Sequence, residues 1–192
     1  MEFPKLPISQ VFDQEITRWT YADVMALHPQ RRDCVTRVIE AMGEASAEAQ
    51  GIPQPVTSML KLKHSDQRVY LFVRDSAVLG LIKVGAKTLF IMRLGGEHCE
   101  ISPLCLLDFY IHKGKQRQGL GKEFFDAVLH IEQTEAYTLA YDKPSKKVTP
   151  LPTPQLLPPF IPRSVSGFSQ APLRFGPLRA AGVELCGLRA VL

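Results

Sequence analysis

The apolar run from Leu104 to Ile111 passes almost at once into Gln116-Arg117-Gln118-Gly119-Leu120-Gly121, the pattern of a strand feeding a glycine turn and a helix. Two glycines let backbone N–H groups crowd around a ligand. The first turn of the helix adds amides without intrahelical partners and the positive end of the dipole, so the segment suits an anion such as a pyrophosphate. Lys113, Lys115, Arg117 and Lys122 surround it, and each suits either a phosphate contact or an ordinary solvated surface. Three more reactive side chains lie close by. Cys105 sits inside the apolar run, where a cysteine commonly fills core; Asp108, flanked by apolar residues, predicts a buried hydrogen bond; His112 has no second ligand pattern beside it and reads as structural, so no metal is expected.

The elements that must position these groups are legible from periodicity. Between Asp33 and Gln50 the residues Val35, Val38, Ile39, Met42, Ala45 and Ala49 recur at helical spacing, and Gly51 and Pro53 supply a stop. Val69 to Val73, Ala77 to Val84 and Thr88 to Met92 are β-branched and aromatic runs, the first two joined by the hairpin chemistry of Arg74-Asp75-Ser76, and together they predict an antiparallel meander. A strand from Leu104 to Ile111, a helix from Gln116 to Gln133 with Leu120, Phe124, Val128 and Ile131 on one face, and a strand from Ala136 to Tyr141 then make a parallel βαβ step. The expected fold class is α/β (α+β), a mixed and mostly antiparallel sheet flanked by helices, with the glycine turn at the ligand-collecting edge.

Composition bounds the rest. A chain of 192 residues, 45% hydrophobic and 22% charged, suits one globular unit, here 1–147, followed by a tail, 148–192. Nine of the 15 prolines fall from Pro144 onward, and so many missing donors predict a disordered tail. Of the net charge of +4, three units lie beyond Lys147, so the body is nearly neutral and nucleic-acid binding is not expected. The opening residues lack the apolar core of a signal peptide, and no run approaches a membrane span, which predicts a cytoplasmic protein without a transmembrane segment. Cys34, Cys99, Cys105 and Cys186 are irregularly spaced and predict thiols rather than a disulfide framework.

The turn also fits the Gln/Arg-x-x-Gly-x-Gly/Ala pattern of the GNAT acyl-CoA acetyltransferase superfamily through Gln116, Gly119 and Gly121. The surrounding sequence is more specific. Pro103 to His112, Leu81-Ile82-Lys83-Val84-Gly85, Gly43-Glu44-Ala45-Ser46-Ala47-Glu48-Ala49-Gln50 and the opening Met1-Glu2-Phe3-Pro4 closely resemble the α-tubulin N-acetyltransferase family, and Tyr141-Asp142-Lys143-Pro144-Ser145 corresponds to its Asp-Arg-Pro-Ser segment. The resemblance runs from Met1 to about Lys147. It implies acetyl-CoA as donor and a luminal lysine of α-tubulin in microtubules as acceptor, with effects on microtubule stability, in a monomer located in the cytoplasm and on the cytoskeleton. On the matching positions it implies a cofactor segment of Phe109, Tyr110, Ile111, His112, Lys113, Gly114, Lys115, Gln116, Arg117, Gln118, Gly119, Leu120, Gly121 and Lys122, a second one of Ser145, Lys146 and Lys147, and catalytic roles for Gln50, Cys105 and Asp142.

A lysine ammonium, with a reference pKa near 10.4, must lose its proton before it can attack a thioester. Cys105 and Asp142 are the groups the resemblance offers for that proton, and a backbone N–H of the cofactor strand would stabilise the oxyanion. On residue type alone Asp142 equally suits a cap or turn, and Gln50 a solvent-facing helix end. After Ser145 the family continues with a helix beside the cofactor and a closing strand, for which the proline-rich run is substituted here. The expectation is therefore a sheet lacking its last helix and strand, and weak or absent catalysis; the expected function is acetylation of α-tubulin, with a non-catalytic microtubule-binding or regulatory form as the alternative.

Overall fold

The computed structural model describes residues 1–92, 98–136 and 138–141. In chain order the elements are α1 (Ile8–Val11), β1 (Ile16–Trp19), α2 (Tyr21–Ala26), α3 (Pro29–Gln50), α4 (Met59–Lys63), β2 (Arg68–Arg74), β3 (Ala77–Ala86), β4 (Leu89–Met92), β5 (His98–Ile101), β6 (Leu104–Ile111), a 3-10 turn (Lys113–Lys115), α5 (Leu120–Ile131) and β7 (Ala140–Tyr141). Five strands form one sheet in the order β1-β2-β3-β6-β7, antiparallel except for the parallel β6–β7 pair. None of the helices among the described residues is long and apolar enough to cross a membrane.

The long amphipathic helix forms as its periodicity predicts, ending at Gly51, but starts at Pro29 rather than Asp33. Proline at the first helical position carries no N–H to leave unpaired and its φ is already helical, so it extends the helix beyond the apolar stripe. The β2–β3 hairpin also forms as expected: Arg74 pairs with Ala77, and Asp75 and Ser76 both take positive φ (51° and 60°), the geometry that matches strand twist in a two-residue turn. The third strand of the expected meander does not join. β4 instead pairs with β5, an element the sequence reading missed, in a separate two-stranded sheet, and β3 takes β6 as its neighbour. The physical reason is burial: the last seven residues of β6 are buried, which suits a central strand, whereas Phe90 of β4 is exposed.

α5 and β7 are both shorter than their patterns suggest. Arg117 and Gly119 take φ of 62° and 79°, which no right-handed helix tolerates, so α5 begins at Leu120 rather than Gln116. Before β7, the Thr138 hydroxyl bonds to the Glu135 carbonyl (2.8 Å) and the Thr138 N–H bonds to the same oxygen (2.9 Å); this local turn competes with strand pairing from Ala136 onward.

Two apolar layers hold the sheet. Val69, Leu71, Val73, Val78, Leu81 and Tyr110 face α3 and the short helices; Tyr70, Phe72, Leu79, Ile82, Phe109 and Ile111 face Phe124, Phe125 and Val128 of α5. Just past α5, Glu132 accepts hydrogen bonds from Arg68 and from Tyr70 (2.6 Å), which pins that end of the helix to β2.

Candidate active site

The site begins where β6 ends. The His112 N–H donates to Leu79 O (2.8 Å) and so holds the strand end in the sheet, and the side-chain amide of Gln116 returns to Ile111 O (2.8 Å). Gln116 therefore fastens the turn to its strand. Gly119 caps α5 without a side chain, and its carbonyl accepts the N–H groups of Lys122 and Glu123 (3.1 Å each). The N–H groups of Leu120 and Gly121 are left without helical acceptors by the geometry of any helix start. A Cβ on Gly119 would meet no protein atom within 4 Å, so the space over the turn is open; the need for glycine comes from the φ of 79°.

Around this corner Lys113, Gly114, Lys115, Arg117 and Gln118 are exposed. Lys122 is also exposed and pairs with Asp126 one turn along the helix. Burial, then the nearby positive charges of the chain amino group, Lys113 and Lys115, hold His112 below its ordinary pKa, which favours the neutral imidazole. Phe109, Tyr110 and Ile111 are buried, with Phe109 stacked on Phe125 (6.0 Å between centroids), so a ligand would meet these three through backbone. That backbone has an open side. β7 pairs Ala140 with Cys105 and Tyr141 with Leu106, and among the described residues no strand pairs with this edge of β6 beyond Leu106.

The second half of the site is buried and is built around Asp108. Its carboxylate accepts from Ser46 (2.8 Å) and Gln50 (3.1 Å) on one oxygen and from Thr57 (2.5 Å) on the other, while Gln50 also donates to the Ser46 hydroxyl (2.8 Å). Opposite it in the sheet register stands Lys83, only 3% exposed, whose ammonium donates to Val56 O (3.0 Å). Burial pushes the Asp108 carboxyl above the usual carboxylate range, against the pull of its three donors and of Lys83. Burial likewise lowers Lys83, to about 8, although the Asp108 charge opposes it.

A register shift makes this arrangement possible. Lys83 pairs with Asp108 but Val84 pairs with Leu106, so Leu107 is an extra residue in β6. In a regular strand Cys105 and Asp108, three positions apart, would point to opposite faces. With the bulge, Leu106, Phe109 and Ile111 pack toward α5, whereas Asp108 meets α3 and Cys105 packs with Leu89, Leu107 and Val56. The Cys105 thiol is 1% exposed and approaches Pro103 O at 3.5 Å.

The expectations for individual residues divide accordingly. Asp108 makes the buried hydrogen bonds its apolar flanks predict. Gln50 is 4% exposed, which corrects the reading of a solvent-facing helix end: Gly51 ends the helix with Gln50 turned inward onto Asp108. Lys83, Ser46 and Thr57 escaped the sequence reading; the available signal was a charged residue between Ile82 and Val84 in an otherwise apolar run. Asp142, Ser145, Lys146 and Lys147, and the tail 148–192, lie outside the described residues. Among the described residues, no group of three or more His, Cys, Asp or Glu side chains could hold a metal ion.

A mostly antiparallel sheet whose parallel step carries a glycine turn onto a helix start is the GNAT class of acetyltransferase architecture. The family model described as "GNAT acetyltransferase, Mec-17" matches residues 5–151, and the chain belongs to that family. It is 44% identical over 119 residues to an alpha-tubulin N-acetyltransferase of Tetrahymena thermophila, covering 62% of this chain and 30% of that protein. It is also 42% identical over 120 residues to alpha-tubulin N-acetyltransferase 1 of Danio rerio, covering 59% and 40%. The chain thus spans less than half the length of these curated relatives. Among solved structures it is similar to the xEco2 acetyltransferase domain, at 12% identity over 69% of this chain and 81% of that one, with a TM-score of 0.46.

Proposed function

We propose that the chain binds acetyl-CoA at the 116–121 turn and transfers the acetyl group directly to a lysine side chain of α-tubulin in microtubules, within a ternary complex. The observation that carries this reading is the open glycine turn in a chain of the Mec-17 family: positive-φ backbone, free helix-start amides and surrounding cations suit a diphosphate. The open edge of β6 offers backbone N–H and C=O groups to the rest of the donor, and the same N–H groups suit an oxyanion. Acetyl-CoA supplies the thioester. The attacking lysine must be neutral, and Cys105 and Asp142 are the proposed proton acceptors. Gln50 acts through Asp108, so it is a positioning residue.

The alpha-tubulin acetyltransferases among the relatives support the acceptor and a place on the cytoskeleton. Purified full chain incubated with microtubules and labelled acetyl-CoA tests the whole reading. The expected result is weak label on α-tubulin and saturable acetyl-CoA binding by calorimetry. Co-sedimentation with microtubules without transfer would overturn it in favour of a non-catalytic binding form.

A further inference from the structure

Val56 and Thr57 are met from three elements at once. From β3, the Lys83 ammonium donates to the Val56 carbonyl (3.0 Å). From β6, Asp108 accepts the Thr57 hydroxyl (2.5 Å). From α3, Gly43 lies so close that a Cβ there would fall 2.1 Å from the Thr57 carbonyl oxygen, a contact that only glycine permits. Thr57 is completely buried. The Val56 side chain, in turn, packs on the cluster of Leu89, Cys105 and Leu107, which contains the bulge and the candidate thiol.

Two pins of the three are charged groups from adjacent strands, directly opposite in register. Apolar residues could cover Cys105 equally well, and a buried ammonium and carboxylate are expensive to desolvate. What charged pins add is direction: a lysine tip fixes one carbonyl, and a carboxylate fixes one hydroxyl, so the segment between α3 and α4 has one seating.

We propose that Lys83 is a positioning residue, holding the Val56–Thr57 peptide and through it the cover over Cys105, with Asp108 as its charge counterpart. The part of this that concerns acetyl transfer rests on the proposed function; the seating of the segment does not. Lys83→Met keeps most of the side-chain volume and removes the ammonium.

Alkylation by iodoacetamide, resolved by peptide mapping, reads the cover without any acetyl-CoA. Cys34, on the buried face of α3, is the internal reference for general unfolding. In the variant, Cys105 should react about tenfold faster while Cys34 is unchanged, as expected of a local opening. Unchanged Cys105 reactivity, or an equal rise at both thiols, overturns the proposal. Should Lys83→Met alone fail to fold, the pair Lys83→Met with Asp108→Asn removes both buried charges, and the same selective rise at Cys105 is expected there. In the transfer assay the folded variant should lose about tenfold in kcat with acetyl-CoA affinity held within about twofold. Equal losses in both would overturn the positioning role. A wild-type chain that transfers no acetyl group sinks the proposed function, whereas the alkylation result still decides the role of Lys83.

Discussion

The glycine turn follows the end of β6 and the Asp108 centre lies in the middle of that strand, yet the two depend on opposite physics. At the turn the arrangement is local: six consecutive residues, two of them at positive φ, present backbone to solvent, fastened to β6 by the Gln116 side chain. At the Asp108 centre nothing is local. Ser46, Gln50, Thr57 and Lys83 come from α3, the loop after it and β3, up to 62 positions away in sequence, and all are buried. An exposed backbone site tolerates change around it and fails only when its own conformation fails. A buried charged site is coupled to the fold and fails with it.

The largest effect should follow removal of the buried hub. Asp108→Ala removes the carboxylate opposite the Lys83 ammonium and takes the acceptor from the Ser46 and Thr57 hydroxyls, a loss of about 3–5 kcal/mol of stability measurable by urea unfolding. An unchanged midpoint would show that the network carries no stability. Gly43→Ala comes next, at about 1–3 kcal/mol, because its Cβ would meet the backbone carbonyl of Thr57 rather than a movable side chain; the same unfolding series checks it.

The turn should respond in the contrary sense. Gly119→Val forces a β-branched residue to a φ of 79°, so acetyl-CoA binding by calorimetry should fall by about tenfold or more while stability drops by only about 1–2 kcal/mol. Loss of stability without loss of binding would erase the contrast between the two regions.

A pH series sharpens it further. Lys83 titrates near 8 in the folded chain and near its ordinary 10.5 when unfolded. Between those values the unfolded state holds more protons, so this residue makes stability rise with pH across that window and become flat below it. Burial sets this titration, with the Asp108 charge opposing it and the Lys61 charge adding to it. Lys83→Met should remove the rise, whereas Gly119→Val should leave it in place; identical pH slopes in all three proteins would contradict the assignment. The smallest effect belongs to Lys122→Ala, whose exposed pair with Asp126 is worth under about 0.5 kcal/mol, a shift at the edge of detection in a thermal melt.

Legibility followed the same division. The strand, the glycine turn and the helix after it were visible because each is encoded by neighbours in the chain: an apolar run, two glycines and a stripe at helical spacing. The Asp75-Ser76 hairpin and the Gly51 stop were visible for the same reason. The partner of β3 was not, because runs of similar composition compete for a central strand and only burial chooses between them. Lys83 was missed although it is a charge among apolar residues, because its role needed its register opposite Asp108. Gln50 could not be placed without knowing which side of α3 meets the sheet.

From the residues alone came the glycine corner and the helix that starts on it, since backbone conformation and helix-start amides are short-range properties of consecutive positions. Tertiary structure alone decided that Leu107 would bulge, that Cys105 and Asp108 would therefore share a face, and that Lys83 would reach Val56. Those outcomes depend on which strands lie side by side and at what register, and pairing energy is settled between segments distant in the chain.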